Sequence, residues 1–267
     1  MKPIHEMPFN VLKRIRGIFT DIDDTITENG LLPAAAYSAL ERMHDAGFVV
    51  LAITGRPAGW CDMIARFWPV DGVVGENGAF YFRYDRATKR MHRRFHQSVA
   101  ERADGRNKLK KIEQRVINEV PGTAIAGDQA YRECDLAIDF AEDVSPLSRI
   151  AVEQIVAIFA EEGATAKISS IHVNGWYGDY DKLTMTRFYV NDVLGIDLDD
   201  HKEDFVYCGD SPNDAPMFAY FPNACGVANV VDFIEQIESL PAFVSRSRGA
   251  RGFVEISKKL LEARENF

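Results

Sequence analysis

Short apolar runs alternate along this chain with stretches in which apolar side chains recur every three or four positions. Gly17-Ile18-Phe19-Thr20, Phe48 to Ile53, Gly72-Val73-Val74, Asp204 to Cys208 and Ala224 to Ala228 are the runs. Continuous apolar segments of this length predict strands buried on both faces of a parallel sheet. Between them, Pro33 opens and Gly47 closes a helix with Ala36, Tyr37, Leu40 and Met43 on one face. Trp60, Ile64 and Phe67 mark a second helix. Asp181-Lys182 opens a third, which carries Met185, Phe188, Tyr189 and Val193 and stops at Gly195. Val231 to Ile237 reads as a further helix, and Gly252 precedes the last. Strand, helix, strand in sequence implies right-handed parallel crossovers, which bring the strand ends to one edge of the sheet. Ligands of open α/β sheets bind beyond that edge.

The pattern changes in the middle of the chain. Ala79 to Tyr84 and Met91 to Phe95 read as a hairpin whose basic residues (Arg83, Arg86, Lys89, Arg90, Arg93, Arg94) either collect phosphates or protect an edge strand by charge. A polar helix from Asn107 to Glu119 stops before Pro121-Gly122. Tyr131 to Phe140 and Thr165 to Val173 read as strands, and Ser148 to Glu161 as an amphipathic helix. Such an interleaving without long buried runs predicts an α+β insertion over residues 97–173, flanked by a core made of residues 1–96 and 174–267.

Composition adds limits. The 267 residues are 46% hydrophobic, enough for a sizeable core. Forty acidic against 31 basic residues leave a net charge of −9, which disfavours a nucleic-acid partner and an anionic membrane surface. Any anionic substrate must be attracted locally. Cys61, Cys134, Cys208 and Cys225 form no C-x-x-C pair and read as reduced, buried residues. Met1 to Arg16 lacks the apolar centre of a signal peptide, and the expected location is cytoplasmic. No oligomeric state follows from the sequence.

The first run ends in Asp21-Ile22-Asp23-Asp24-Thr25. In an extended segment Asp21 and Asp23 point the same way, and carboxylates so close persist where a cation neutralises them or a proton is shared. A hard divalent ion, Mg2+, resolves the repulsion; a solvated acidic turn is the other reading. Further candidates stand at other strand and helix ends: Thr54, a phosphate ligand or a helix cap; Lys182, a phosphate ligand or a solvated lysine; and Asp210 with Asn213 and Asp214 in Gly209-Asp210-Ser211-Pro212-Asn213-Asp214.

These four groups, in this order, resemble the four motifs of haloacid dehalogenase superfamily phosphatases. The resemblance implies an α/β fold with a Rossmann-like parallel-sheet core. It also implies Asp21 as nucleophile and Asp23 as general acid and base. Thr54 and Lys182 would bind phosphate. Mg2+ would be held by Asp21, the Asp23 carbonyl and Asp210, with Asp214 and Asn213 supporting. One departure is Asp24, where many members carry Gly. An insertion between the second and third motifs, together with Gly75-Glu76-Asn77-Gly78-Ala79, resembles the type IIB cap of the Cof-like, sucrose-phosphate, mannosyl-3-phosphoglycerate and archaeal phosphoglycolate phosphatases. By that resemblance the cap covers the site and contacts the substrate, a small phosphomonoester such as a sugar phosphate or a phosphorylated organic acid. Within the cap, Arg132 is a candidate carboxylate ligand or an ion-pair residue, and His172 and Asn174 are either hydroxyl ligands or structural. Trp176, Tyr177 and Tyr180 either stack on a sugar or pack a hinge. A phosphomutase of the phosphomannomutase type and a catalytically silent phosphate-binding module are the alternative functions.

Overall fold

The computed structural model describes residues 1–265. From the N-terminus it runs β1 (Lys2–Pro3), α1 (Phe9–Arg14), β2 (Gly17–Thr20), α2 (Ala34–Asp45), β3 (Val49–Ile53), α3 (Ala58–Phe67), β4 (Gly72–Gly75) and the hairpin β5 (Phe80–Asp85) and β6 (Arg90–Phe95). The inserted segment holds α4 (Val99–Glu119), β7 (Ala124–Ile125), β8 (Asp135–Asp139), α5 (Arg149–Glu161), β9 (Thr165–Ile168) and β10 (His172–Trp176). The chain then returns through α6 (Lys182–Tyr189), α7 (Leu198–His201), β11 (Phe205–Gly209), α8 (Ala215–Tyr220), β12 (Cys225–Gly226), β13 (Phe243–Val244) and α9 (Gly249–Glu265).

Nine strands form the main sheet in the order β1-β13-β12-β11-β2-β3-β4-β5-β6, parallel except for the terminal hairpin. Strand β2 lies between β11 and β3, with Thr20 opposite Cys208 on one side and Ala52 on the other. Alternation sends Ile18 into a layer with Leu40, Val50 and Val206, and Phe19 into the opposite layer with Leu51, Tyr207 and Met185. Burial on both faces is what the continuous apolar runs predicted. The insertion builds a separate four-stranded antiparallel sheet, β7-β8-β10-β9, with its own core. Leu109 and Ile112 of α4 meet Ile155 and Phe159 of α5 and Val173 of β10 there.

Several local expectations need correction. Thr165 to Val173 is two strands, because the Ser169 hydroxyl accepts from the His172 N–H (3.0 Å) and turns the chain. This turn carries His172 to the head of β10, which continues through Trp176. Val231 to Ile237 is no α-helix; a 3-10 turn over Ala228–Phe233 leaves Val231 exposed. The last helix starts at Gly249, and Gly252 lies inside it where a Cβ would stand 2.3 Å from the Ser247 carbonyl. Helix α4 begins at Val99, well before Asn107, because Ser98 and Glu101 form a reciprocal capping box. Strand β12 is confined to Cys225–Gly226. On α3 the buried face is Cys61, Ile64 and Ala65; Phe67 is exposed, and Trp60 lies against the Arg56 guanidinium at 4.5 Å. The hairpin arginines are engaged locally, Arg93 with Asp62, Arg94 with Asp192 and Arg86 with the Arg66 carbonyl, as expected of a charged edge. All four cysteines are free and buried. No helix among the described residues is long and apolar enough to cross a membrane.

Candidate active site

The Asp21 N–H donates to the Cys208 carbonyl (2.9 Å) and extends the β2–β11 ladder by one bond. The chain then leaves the strand: the N–H groups of Thr25, Ile26 and Thr27 all converge on the Ile22 carbonyl. Asp23 therefore lies in a turn, and strand alternation does not set its direction. Both carboxylates nevertheless line one chamber at the sheet edge. Asp24 has φ +55°, the left-handed region that favours glycine, and aspartate is among the residues that tolerate it. Its carbonyl accepts from the Asn229 side chain (3.0 Å).

Lys182 begins α6 behind its N-cap, Asp181. Its Nζ is within 2.7 Å of both Asp21 Oδ1 and Asp214 Oδ1, and only 2% of the residue is exposed. The solvated-lysine reading is thereby excluded. Asp214 also takes the Tyr207 hydroxyl and, on Oδ2, the N–H groups of Asp210 (3.0 Å) and Ser211 (3.2 Å). It thus caps its own turn and pins the lysine at once. Asp210 is held by the Thr25 hydroxyl (3.1 Å) and the Asn229 amide (2.7 Å).

Carboxylate oxygens of Asp21, Asp210 and Asp214 lie within 4.8 Å of one another, all buried. Burial pushes Asp21 well above the ordinary carboxylate range despite the pull of Lys182; burial and the facing Asp21 and Asp214 charges do the same to Asp210. Burial works against the Lys182 charge, but Asp21 and Asp214 outweigh it and raise its pKa. Three carboxylates around one ammonium leave excess negative charge, which suits a divalent cation between Asp21 and Asp210.

Thr54 is fully buried at the end of β3, and its Oγ1 accepts from the Arg56 N–H (3.0 Å). It does not cap α3, whose preceding residue is Pro57. Next to it runs a turn in which Glu76 (φ +45°), Asn77 (+54°) and Gly78 (+109°) are all left-handed. The turn touches every neighbour. Glu76 N–H donates to the Arg56 carbonyl and Asn77 N–H to the Thr54 carbonyl, each at 3.1 Å. A Cβ on Gly78 would stand 2.0 Å from the Asp181 carbonyl, so only glycine lets the turn reach the start of α6. Asn213 reaches the turn through its amide, which donates to Asn77 Oδ1 (3.4 Å).

The inserted unit closes over this edge through buried charges. Arg56 donates bidentately to Asp23 (2.9–3.1 Å), and to Glu142 (2.8 Å) and Asp128 (3.4 Å) of the insertion. Glu142 also lies 2.9 Å from His172 Nε2. Glu76 accepts the Ala58 N–H from the core and those of Glu133, Cys134 and Asp135 from the insertion. These contacts leave a cavity of about 20 Å3 between Asp21, Asp23, His172 and Asn174, room for about one water.

His172 and Asn174 line that cavity. Arg132, in contrast, needs correction as a carboxylate ligand. Its guanidinium is 1% exposed and occupied by Asp128 (2.9 Å), Asp135 (3.1 Å) and the Gly55 carbonyl (2.9 Å). Trp176 and Tyr180 stack on each other in the core, which is hinge packing and leaves no platform for a sugar. Sequence reasoning missed Arg56, Glu76, Glu142 and Asn229. Arg56 and Glu76 lie inside motif stretches already singled out; nothing local marks Glu142 or Asn229.

With this geometry, a family model described as haloacid dehalogenase-like hydrolase matches residues 18–116. No curated protein matches by sequence. Solved structures match over nearly the whole chain. A Thermoplasma acidophilum protein, 0175, is 18% identical with TM-score 0.69, covering 92% of this chain and 98% of its own. The sucrose-phosphatase of Synechocystis, solved with sucrose and phosphate, is 15% identical with TM-score 0.61 and the same coverages. A subclass IIB sugar phosphatase, BT4131, is 13% identical with TM-score 0.59, again covering 92% and 98%. Residues 18–116, which hold Asp21, Asp23 and Thr54, are thus similar to haloacid dehalogenase-like hydrolases. Over nearly its whole length the chain shares the fold of these solved structures.

Proposed function

We propose that the protein hydrolyses a small phosphomonoester through an aspartyl-phosphate intermediate, with Mg2+ as cofactor. The observation that carries this reading is Lys182, held at 2.7 Å between Asp21 and Asp214 beside the buried carboxylate of Asp210. Asp21 and Asp210 fit the metal, together with the backbone carbonyl of Asp23, whose side chain is turned to Arg56. When bound, Mg2+ neutralises these carboxylates and the phosphoryl oxygens.

Asp21 attacks phosphorus in line, so an Asp21 O–P bond forms as the bond to the leaving oxygen breaks. Lys182 and Thr54 hold the equatorial oxygens, where charge is stabilised during transfer. Asp23 gives a proton to the leaving oxygen and takes one from the water that cleaves the acyl phosphate. Asp214 orients Lys182, and Asn213 braces the adjacent turn. The inserted unit, residues 97–173 with β10 carried on to Trp176, acts as the cap that excludes bulk water.

Neighbours named as sugar phosphatases favour a sugar phosphate as substrate. Arg132, paired with Asp128 and Asp135, is not free to receive the carboxylate of a phosphorylated organic acid, which accords with the sugar-phosphate reading. Four buried free cysteines accord with a reducing, cytoplasmic setting.

The test is phosphate release from p-nitrophenyl phosphate by the purified protein. Release that requires Mg2+ and is lost in Asp21→Asn is expected; release that survives either change rejects the mechanism. A hexose 1-phosphate returned as the 6-phosphate, with no free phosphate, would instead favour the phosphomutase.

A further inference from the structure

Among the described residues the Asp23 carboxylate takes hydrogen bonds from Arg56 alone. Oδ1 receives two donors, Nη2 at 2.9 Å and Nε at 3.1 Å, whereas Oδ2 only shares the Nε hydrogen at 3.1 Å. Oδ2 is thus the oxygen left to carry a proton. What fixes the guanidinium comes in large part from the cap. Nη2 also donates to Glu142 Oε1 (2.8 Å) and Nη1 to Asp128 Oδ2 (3.4 Å), while the Trp60 ring of the core lies 4.5 Å from the guanidinium carbon. Glu142 is itself held from two directions. Its other oxygen, Oε2, lies 2.9 Å from His172 Nε2 on β10, and its N–H donates to Asp139 Oδ1 (2.8 Å). Asp139, fully buried at the end of β8, also accepts the N–H groups of Ala141 (2.9 Å) and Asp143 (2.8 Å), which fixes the loop that presents Glu142.

We infer that Glu142 is a positioning residue for proton transfer: acting through Arg56, it couples the placement of the Asp23 carboxyl to closure of the cap. As the bond from phosphorus to the leaving oxygen breaks, its electron pair stays on that oxygen, which takes the Asp23 proton. Negative charge then appears on Asp23, opposite the guanidinium. A charge-assisted donor held in one place serves that charge best where little water competes, and the Arg56 side chain is only 6% exposed. With the cap drawn away, Arg56 keeps Asp23 and the Trp60 ring but loses both acceptors that hold its far edge. A long side chain so released no longer fixes the carboxyl it touches. Closure therefore completes the acid as well as excluding bulk water. The pairing belongs to the closed state because Glu142 and Asp128 stand on the insertion, whereas Asp23, Arg56 and Trp60 stand on the core.

The inference rests on the phosphatase reading and is tested separately from it. The experiment measures kcat/KM, with Mg2+ present, for p-nitrophenyl phosphate and phenyl phosphate in the wild type, Glu142→Ala and Arg56→Lys. This constant reports the steps up to departure of the leaving group. The two esters differ by one nitro group: p-nitrophenolate departs as a stable anion, whereas phenolate departs readily only with a proton. The ratio of kcat/KM for p-nitrophenyl phosphate to that for phenyl phosphate is expected to rise about tenfold over the wild type in both variants. A cap that is merely loosened slows both esters alike. An unchanged ratio in Glu142→Ala overturns the inference, and so does a rise confined to Arg56→Lys. A wild type that cleaves p-nitrophenyl phosphate but not phenyl phosphate also overturns it, since no acid then assists departure. A wild type that hydrolyses neither ester rejects the phosphatase reading itself. Melting curves identify a variant that has lost its fold; should Arg56→Lys do so, Glu142→Ala decides, because the Glu142 side chain is 29% exposed and easier to spare.

Discussion

Lys182 Nζ stands 2.7 Å from Asp21 Oδ1 although 161 positions of chain separate them. Both groups are buried, so neither can turn to water when the other is removed. Lys182→Met is expected to cost about 3–5 kcal/mol, the usual effect of stranding a buried charge. Thermal melting measures the loss. Millimolar Mg2+ should restore part of it, because a cation can stand in for the missing ammonium among the carboxylates. Phosphatase activity should fall at least ~100-fold even with the metal present, as the equatorial oxygens lose a charged donor.

Asp210 has its two oxygens occupied by Thr25 and Asn229 on one side and faces Asp21 on the other. Asp210→Asn keeps the size and removes the charge. The Mg2+ concentration for half-maximal activity should rise ~10–100-fold, with kcat at saturating metal less affected. Titration of activity with free Mg2+ checks this; an unshifted curve would place the ion elsewhere.

Glu142 joins cap to core through Arg56, and within the cap through His172. The His172 hydrogen bond, with Arg56, outweighs partial burial and holds this carboxyl down to about 2 against an ordinary 4.5. A carboxyl whose folded value is depressed adds stability above its unfolded value, and that stability is lost as pH falls from about 4.5 toward 2. Glu142→Gln should therefore lower the melting temperature at pH 6 and make its decline between pH 5 and pH 3 shallower than in the wild type.

Glu76 behaves in the opposite sense. Burial, joined by the Asp135 charge, pushes it up to about 8 from 4.5, although Arg132 and the N–H groups of Glu133 and Cys134 pull it down. A carboxyl raised on folding binds its proton more tightly in the native state, so stability declines as pH rises from about 4.5 through 8. Glu76→Gln should flatten the fall of melting temperature over that interval. A slope identical to the wild type would show that Glu76 does not titrate there.

What the sequence made legible was local or repeated: apolar runs ending in polar motifs, which placed Asp21, Thr54, Lys182 and Asp210 at one edge without any knowledge of packing. What it hid depends on which surfaces meet. Arg56 follows Thr54 by two positions, yet its partners Glu142 and Asp128 lie in the insertion, and no periodicity links them. Arg132 stood open between a carboxylate ligand and an ion-pair residue, because its aspartates, three and four residues away, are brought around it by a 3-10 turn over Gln129–Tyr131 that the sequence does not announce. Trp60 marked a helix by its spacing, but spacing does not show that a guanidinium will lie against the ring, which stays exposed. The expected strand over Thr165 to Val173 failed on a serine turn, and the helix over Val231 to Ile237 on a tighter winding that apolar spacing does not distinguish.

Strand β11 arrives late in the chain but occupies a place beside β2 at the centre of the main sheet. A nascent polypeptide that has emerged only as far as the cap therefore carries an open sheet edge at β2, with Asp21 lacking both Lys182 and Asp210. Synthesis must run past residue 210 before that gap can be filled. Chaperone dependence and ribosome-bound proteolysis should consequently peak while the first two-thirds of the protein waits for its missing strand.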